Sequence, residues 1–236
     1  MLKKIVLISL VFCVGSLNKS VAYSGQQGHA PVFNAAVELE HDELSKQLFR
    51  EIRFFGRLQK FHELVERGAC IHALGQHGRT CLHMAVIHAR RDIVTYLIER
   101  GADMQARDER GCIPLHYAAQ KDVDLMNLVF NKNFLEIKDK LGNTLLHKAA
   151  AVLAVDCVKF LVDQKVNNVA NHLGQKPIDL ALLHEEFLQA DALRAKRTAV
   201  MELLLGRKLK DGEYPKVARQ ADHANHVAGG LYLIEE

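Results

Sequence analysis

A glycine returns along this chain at intervals of 33, 31 and 32 residues, at Gly78, Gly111, Gly142 and Gly174. The segments it opens resemble one another: "GRTCLHMAVIHARRDIVTYLIERGADMQARDER", "GCIPLHYAAQKDVDLMNLVFNKNFLEIKDKL" and "GNTLLHKAAAVLAVDCVKFLVDQKVNNVANHL", with a fourth beginning "GQKPIDLAL". Self-similarity at this period is the mark of a solenoid, in which one unit cannot cover its apolar face alone and stacking several does. Within a unit, Thr80 and Thr144 stand where a helix should begin and can cap its free N–H groups. The small pairs Ala118-Ala119 and Ala149-Ala150 allow close helix approach. Ile93, Val94, Leu97 and Ile98 recur at helical spacing. Gly101 follows the last turn, where a left-handed residue can end a helix. The pattern predicts helix, tight turn, helix, then an extended loop. Aromatic residues make up 6% of the chain and tryptophan is absent, which suits packed helices better than a β-sandwich.

These residues resemble the ankyrin-repeat family, whose pattern runs G-x-T-P-L-H-x-A-A and, after an apolar helix, L-L-x-x-G-A-D-x-N-A. Thr80-Cys81-Leu82-His83, Ile113-Pro114-Leu115-His116 and Thr144-Leu145-Leu146-His147 fill the first block, with Lys176-Pro177-Ile178-Asp179 as a degenerate fourth. The second block is clearest in "DIVTYLIERGADMQA" and visible in "HELVERGACIHA". The resemblance implies an all-α ankyrin-repeat solenoid of stacked helix-turn-helix units with connecting loops, about four repeats plus an N-terminal capping helix pair. The repeat domain is expected over residues 41–206, with units near 41–77, 78–110, 111–141, 142–173 and 174–206. The first of these has two amphipathic helices around Gly56 but no T-P-L-H block. In the last, Leu203-Leu204-Leu205 lies about ten residues beyond its expected place, which predicts a longer helix or an inserted turn. The units opening at Gly111 and Gly142 lack G-A-D, so altered loops are expected there.

Residues 1–22 have a basic start (Lys3, Lys4), an apolar run and small residues at Ser20 and Ala22, the three-part pattern of a signal peptide. Export to the periplasm or secretion from a bacterium is the expectation. Residues 23–40 and 207–236 read as flexible flanks. The chain carries 31 basic and 28 acidic residues, and losing Lys3, Lys4 and Lys19 would equalise them. That balance offers no electrostatic case for nucleic acid, and no other apolar run is long enough to span a membrane. Cys70, Cys81, Cys112 and Cys157 remain after cleavage; an exported protein can pair them, and the connectivity is open. Cys81 and Cys157 read as buried, Cys70 and Cys112 as exposed loop residues.

His83, His116 and His147 recur at one position per unit, as a structural residue does and a catalytic one does not. The resemblance implies that each ties neighbouring loops together. A histidine-dependent metal or haem-binding factor of the periplasm is the alternative, prompted by 13 histidines, among them His72, His77, His83, His88 and the H-x-x-H of His223 and His226. No closed zinc spacing, G-x-S-x-G, H-E-x-x-H or phosphate-binding glycine loop occurs. The expectation is therefore no enzyme, no cofactor and no metal. The resemblance implies a monomeric scaffold that binds another protein through the concave face. That face would comprise Gln76, His77, Arg79, Ile87 and His88; Glu109, Arg110, Cys112, Gln120 and Lys121; and Lys140, Leu141, Asn143 and Val152.

Overall fold

The computed structural model describes residues 43–182 and 191–210, which are helical apart from turns, loops and one isolated bridge between Leu74 and Thr80. The signal-peptide segment, residues 23–40, His223, His226 and most of 207–236 lie outside the described residues. The chain divides into two compact units that part after Asp103.

In the first unit, helix α1 (43–50) runs into a π-turn, Glu51–Phe55, which ends at the left-handed Gly56. Helices α2 (Leu58–Glu66), α3 (Cys81–Ile87) and α4 (Arg91–Glu99) follow. The amphipathic face expected of α4 is present, with Ile93, Val94 and Leu97 fully buried beside Leu82, Phe61 and Ile52. Burying each such side chain contributes about 1.5–3 kcal/mol, and this apolar seam holds the unit together.

The second unit contains α5 (Pro114–Ala118), α6 (Val123–Leu128), α7 (Leu145–Ala151), α8 (Val155–Asp163), α9 (Pro177–Leu182) and α10 (Asp191–Leu205). First helices pack on first helices (α5 on α7, α7 on α9) and second on second (α6 on α8, α8 on α10). Ala118, Ala149 and Ala181 are fully buried, and their methyl side chains permit that stacking. The displaced Leu203-Leu204-Leu205 ends α10, a helix of 15 residues, so the extra length of the last unit includes a longer second helix.

Loop geometry at the helix ends departs from expectation in one unit and not in another. Gly101 is left-handed, with its N–H on the Ile98 carbonyl and the next N–H, of Ala102, on Leu97. Lys165 takes the same conformation (φ 57°) and the same two bonds, to Val162 and from Val166 to Leu161. The repeat opening at Gly142 therefore keeps the glycine geometry without glycine, because the two capping bonds hold a lysine in it. In the repeat opening at Gly111, Asn131 instead accepts from the Asn133 N–H and starts a short 3-10 turn, Lys132–Phe134.

Candidate functional site

In the second unit, each repeat glycine closes a finger-like loop that is built the same way three times. Asp108, Asp139 and Asn171 stand three residues before Gly111, Gly142 and Gly174. The Oδ1 of each accepts two backbone N–H groups: Arg110 and Cys112, Leu141 and Asn143, Leu173 and Gln175, all at 2.8–3.0 Å. Their own N–H groups donate to the carbonyls of Cys112, Asn143 and Gln175. One side chain thus satisfies several otherwise unpaired backbone donors. Sequence reasoning missed this residue, although its period matches that of the glycines.

Neighbouring fingers are then joined. The Lys140 N–H donates to the Arg110 carbonyl and the His172 N–H to the Leu141 carbonyl, both at 2.9 Å. A Cβ at Gly142 would come within 2.6 Å of the His172 ring and 2.9 Å of its backbone nitrogen. Only glycine suits this place, where φ is 78°.

The histidines sit beneath the fingers and are buried. At His147, Nδ1 accepts from the Thr144 N–H (3.1 Å) and lies 3.0 Å from the Thr144 hydroxyl, while Nε2 faces the Gln175 carbonyl at 3.0 Å. An acceptor Nδ1 places the proton on Nε2, which donates to Gln175; the ring is neutral and ties one finger to the next. His83 makes the same contacts to Thr80 and His116 the same backbone contact to Ile113. Each histidine occupies the position where glutamate reaches back in a capping box. Burial lowers the pKa of His147, and that of His116 falls to about 4, mainly through burial with the Lys148 charge adding to it. His147 is a connector between fingers, whereas His116 Nε2 is buried without a hydrogen-bond partner; the neutrality of these two rings follows from being enclosed.

Beside them lies a buried ion pair, Lys148 Nζ to Asp139 Oδ2 at 2.7 Å. Burial alone would raise the Asp139 pKa, but the Lys148 charge and hydrogen bonds from Lys148 and Asn143 outweigh it and leave it lowered. Asn143 also accepts from Asn171 Nδ2 at 2.9 Å, so the polar network runs from one finger to the next.

The expected binding residues divide accordingly. Ile87 and Asn143 are buried, the first in the apolar core and the second in this network. Neither offers its side chain to a partner. Cys112, expected to be exposed, is buried as well, because its N–H and carbonyl are drawn in by Asp108. Gln76, His77, Glu109, Arg110, Lys140 and Val152 are exposed, whereas Arg79, His88, Gln120, Lys121 and Leu141 are partly so. His172 and Leu173 share the exposed finger row and were not anticipated; the glycine register alone could have placed them at a tip.

All four described cysteines are free thiols. Burial raises the Cys81 thiol far above its ordinary value and those of Cys112 and Cys157 to about 11, so Cys81 and His83 are no thiolate–base pair. Among the described residues, no group of three or more His, Cys, Asp or Glu side chains could hold a metal ion. No described helix is long and apolar enough to cross a membrane.

The family model for ankyrin repeats matches residues 15–133 and 115–210, with three copies. A putative ankyrin repeat protein of fowlpox virus, FPV223, is 34% identical over 109 residues, covering 44% of this chain and 75% of the viral one. The tyrosine-protein kinase HTK16 of Hydra vulgaris is 30% identical over 181 residues, 75% of this chain but 22% of the kinase. Human neurogenic locus notch homolog protein 1 is 32% identical over 131 residues, 54% of this chain and 5% of its own length.

Proposed function

The chain belongs to the ankyrin-repeat family, and from that premise we propose that it is a non-enzymatic scaffold that binds another protein through its loop tips and adjoining first helices. The observation that carries this reading is the cross-linked finger row of the second unit. Backbone bonds from Lys140 to Arg110 and from His172 to Leu141 hold the tips in register before any partner arrives. Preorganised loops lose less entropy on binding, and the row mixes cationic side chains (Arg110, Lys140) with apolar ones (Leu141, Leu173), a composition suited to partner recognition. In the first unit, Gln76 and His77 form the corresponding tip. The similarity to a kinase spans under a quarter of that protein, so it supports a shared module and no catalytic activity.

Charge reversal at two exposed tips, Arg110→Glu with Lys140→Glu, tests this reading. A partner recovered by affinity capture with the wild-type chain should be lost from the double variant while its helical circular dichroism is unchanged. Equal recovery by both would refute the finger row as the binding surface.

Export belongs to the same proposal. The basic, apolar and small-residue pattern of residues 1–22 supports cleavage after Ala22 and action in the periplasm or outside the cell, as a monomer. N-terminal sequencing of protein recovered from a secretion-competent host should begin at Tyr23; a chain that retains Met1 and stays in the cytosol contradicts it.

A further inference from the structure

The turn between α1 and α2 exposes two adjacent aromatic side chains in a place where the helix pattern would bury one. Leu44, Leu48 and Ile52 are core residues at four-residue spacing, and Phe55 comes next on that face. The π-turn Glu51–Phe55 widens the helix there, and Phe54 and Phe55 end up 62% and 56% exposed, with Leu58 at 38%. Widened turns of this kind recur at functional sites.

The presentation is rigid. Arg90 donates from Nε to the Ile52 carbonyl (3.1 Å) and from Nη2 to the Arg53 carbonyl (3.4 Å). Its side chain fills the space beside Gly56, where a Cβ would fall 2.6 Å from it. Glu51, itself buried, grips Arg57 through both carboxylate oxygens at 3.0 Å. Arg57 thereby lies over the Phe55 ring at 4.6 Å, and Arg53 lies over Phe54 at 5.3 Å. Beside Phe55 a shallow cleft is lined by Gln47, Arg50, Glu51, Lys60 and Leu64.

From Arg50 to Lys60 there are four cationic residues; Arg57 is committed to Glu51 and Lys60 to Glu63 at 2.8 Å, which leaves Arg50 and Arg53 as the cations beside the aromatic pair. The surroundings of the aromatic pair are therefore positive. We propose that this turn is a second docking surface, separate from the finger loops, for an acidic amphipathic segment of a partner protein. Its large apolar side chain would sit in the cleft against Phe55 while its carboxylates meet Arg50 and Arg53. Aromatic and arginine side chains held in place are the residue types that dominate interface energetics, and the charge sign selects among apolar partners.

The test uses the full chain and a fluorescein-labelled amphipathic peptide of glutamate and leucine, with a lysine-for-glutamate counterpart. The acidic peptide should bind and weaken with added salt; the basic one should not bind. Phe54→Ser with Phe55→Ser, and separately Arg53→Glu, should each weaken binding about tenfold or more, while Arg110→Glu with Lys140→Glu leaves it unchanged. Matching thermal melts for the exposed Phe54 and Phe55 variants keep loss of fold apart from loss of contact. No binding by the wild type, or equal binding by the Phe54/Phe55 variant, overturns the proposal. Binding that emerges only after Glu38→Gln and Glu40→Gln also overturns it, since the turn would then be occupied by the chain's own acidic segment.

Discussion

A buried neutral histidine makes stability fall with acidity. The His116 pKa is about 4 when folded, against an ordinary 6.5, so the unfolded chain takes up a proton across that interval and the folded chain does not. Its contribution is intact above pH 6.5 and lost as pH falls toward 4, about 3 kcal/mol in all. His147 is shifted in the same direction. Urea midpoints measured at intervals from pH 8 to 4 should fall through this window. His116→Gln should flatten part of that slope, since glutamine keeps an acceptor for the Ile113 N–H without titrating there. Lys165 makes a separate case. Holding a non-glycine residue left-handed costs about 1–2 kcal/mol, part of which glycine returns as entropy in the unfolded chain. Lys165→Gly should raise stability by about 0.5–1 kcal/mol, visible as a higher melting temperature; no gain would mean that the lysine stem makes a compensating contact.

At the level of the element, the finger loops follow a rule that links two positions. An aspartate three residues before the repeat glycine has a donor nine residues further on: Tyr117 for Asp108 and Lys148 for Asp139. Asn171 has Leu180 at that distance and turns its own amide to Asn143 and Gln175 instead. A buried carboxylate needs its second oxygen satisfied, whereas an amide brings a donor of its own. Lys148→Met should therefore cost about 3–5 kcal/mol by stranding the Asp139 charge. Adding Asp139→Asn should restore part of that loss by removing the stranded charge, but not all of it, because Asn143 Nδ2, which donates to Asp139 Oδ2, would then face an amide donor. If the double variant proves as unstable as Lys148→Met alone in chemical denaturation, the lysine matters for its packing and not for its charge.

For the molecule as a whole, a repeat stack has stability that depends on nearest neighbours. In the second unit, α10 covers α8 and buries Val200 and Met201 completely. Met201→Ala should cost about 2–5 kcal/mol. Hydrogen exchange should show protection lost first in α10 and α8, with α5 amides affected least. Uniform loss across the second unit would instead show that it unfolds as a single cooperative block.

The period, the T-x-L-H block and the apolar alternation of α4 were legible in the chain alone, because a repeated unit states its local rules several times. The shared histidine was recognisable as structural by its recurrence, and the glycine register located the fingers. Other properties depended on three-dimensional neighbours. The burial of Cys112, Ile87 and Asn143 could not be read from loop or helix position, since neighbours distant along the chain decide it: Asp139 and Lys148 beside Cys112, the core around Ile87, and Asn171 against Asn143. Lys165 substitutes for a glycine only because two capping bonds hold it there. The outward display of Phe54 and Phe55 depends on a π-turn fastened by Arg90, 38 residues away from Ile52. Sequence determined the repeating unit because its forces are local and recur; tertiary structure alone decided which side chains reach solvent, because burial is a property of neighbours distant along the chain.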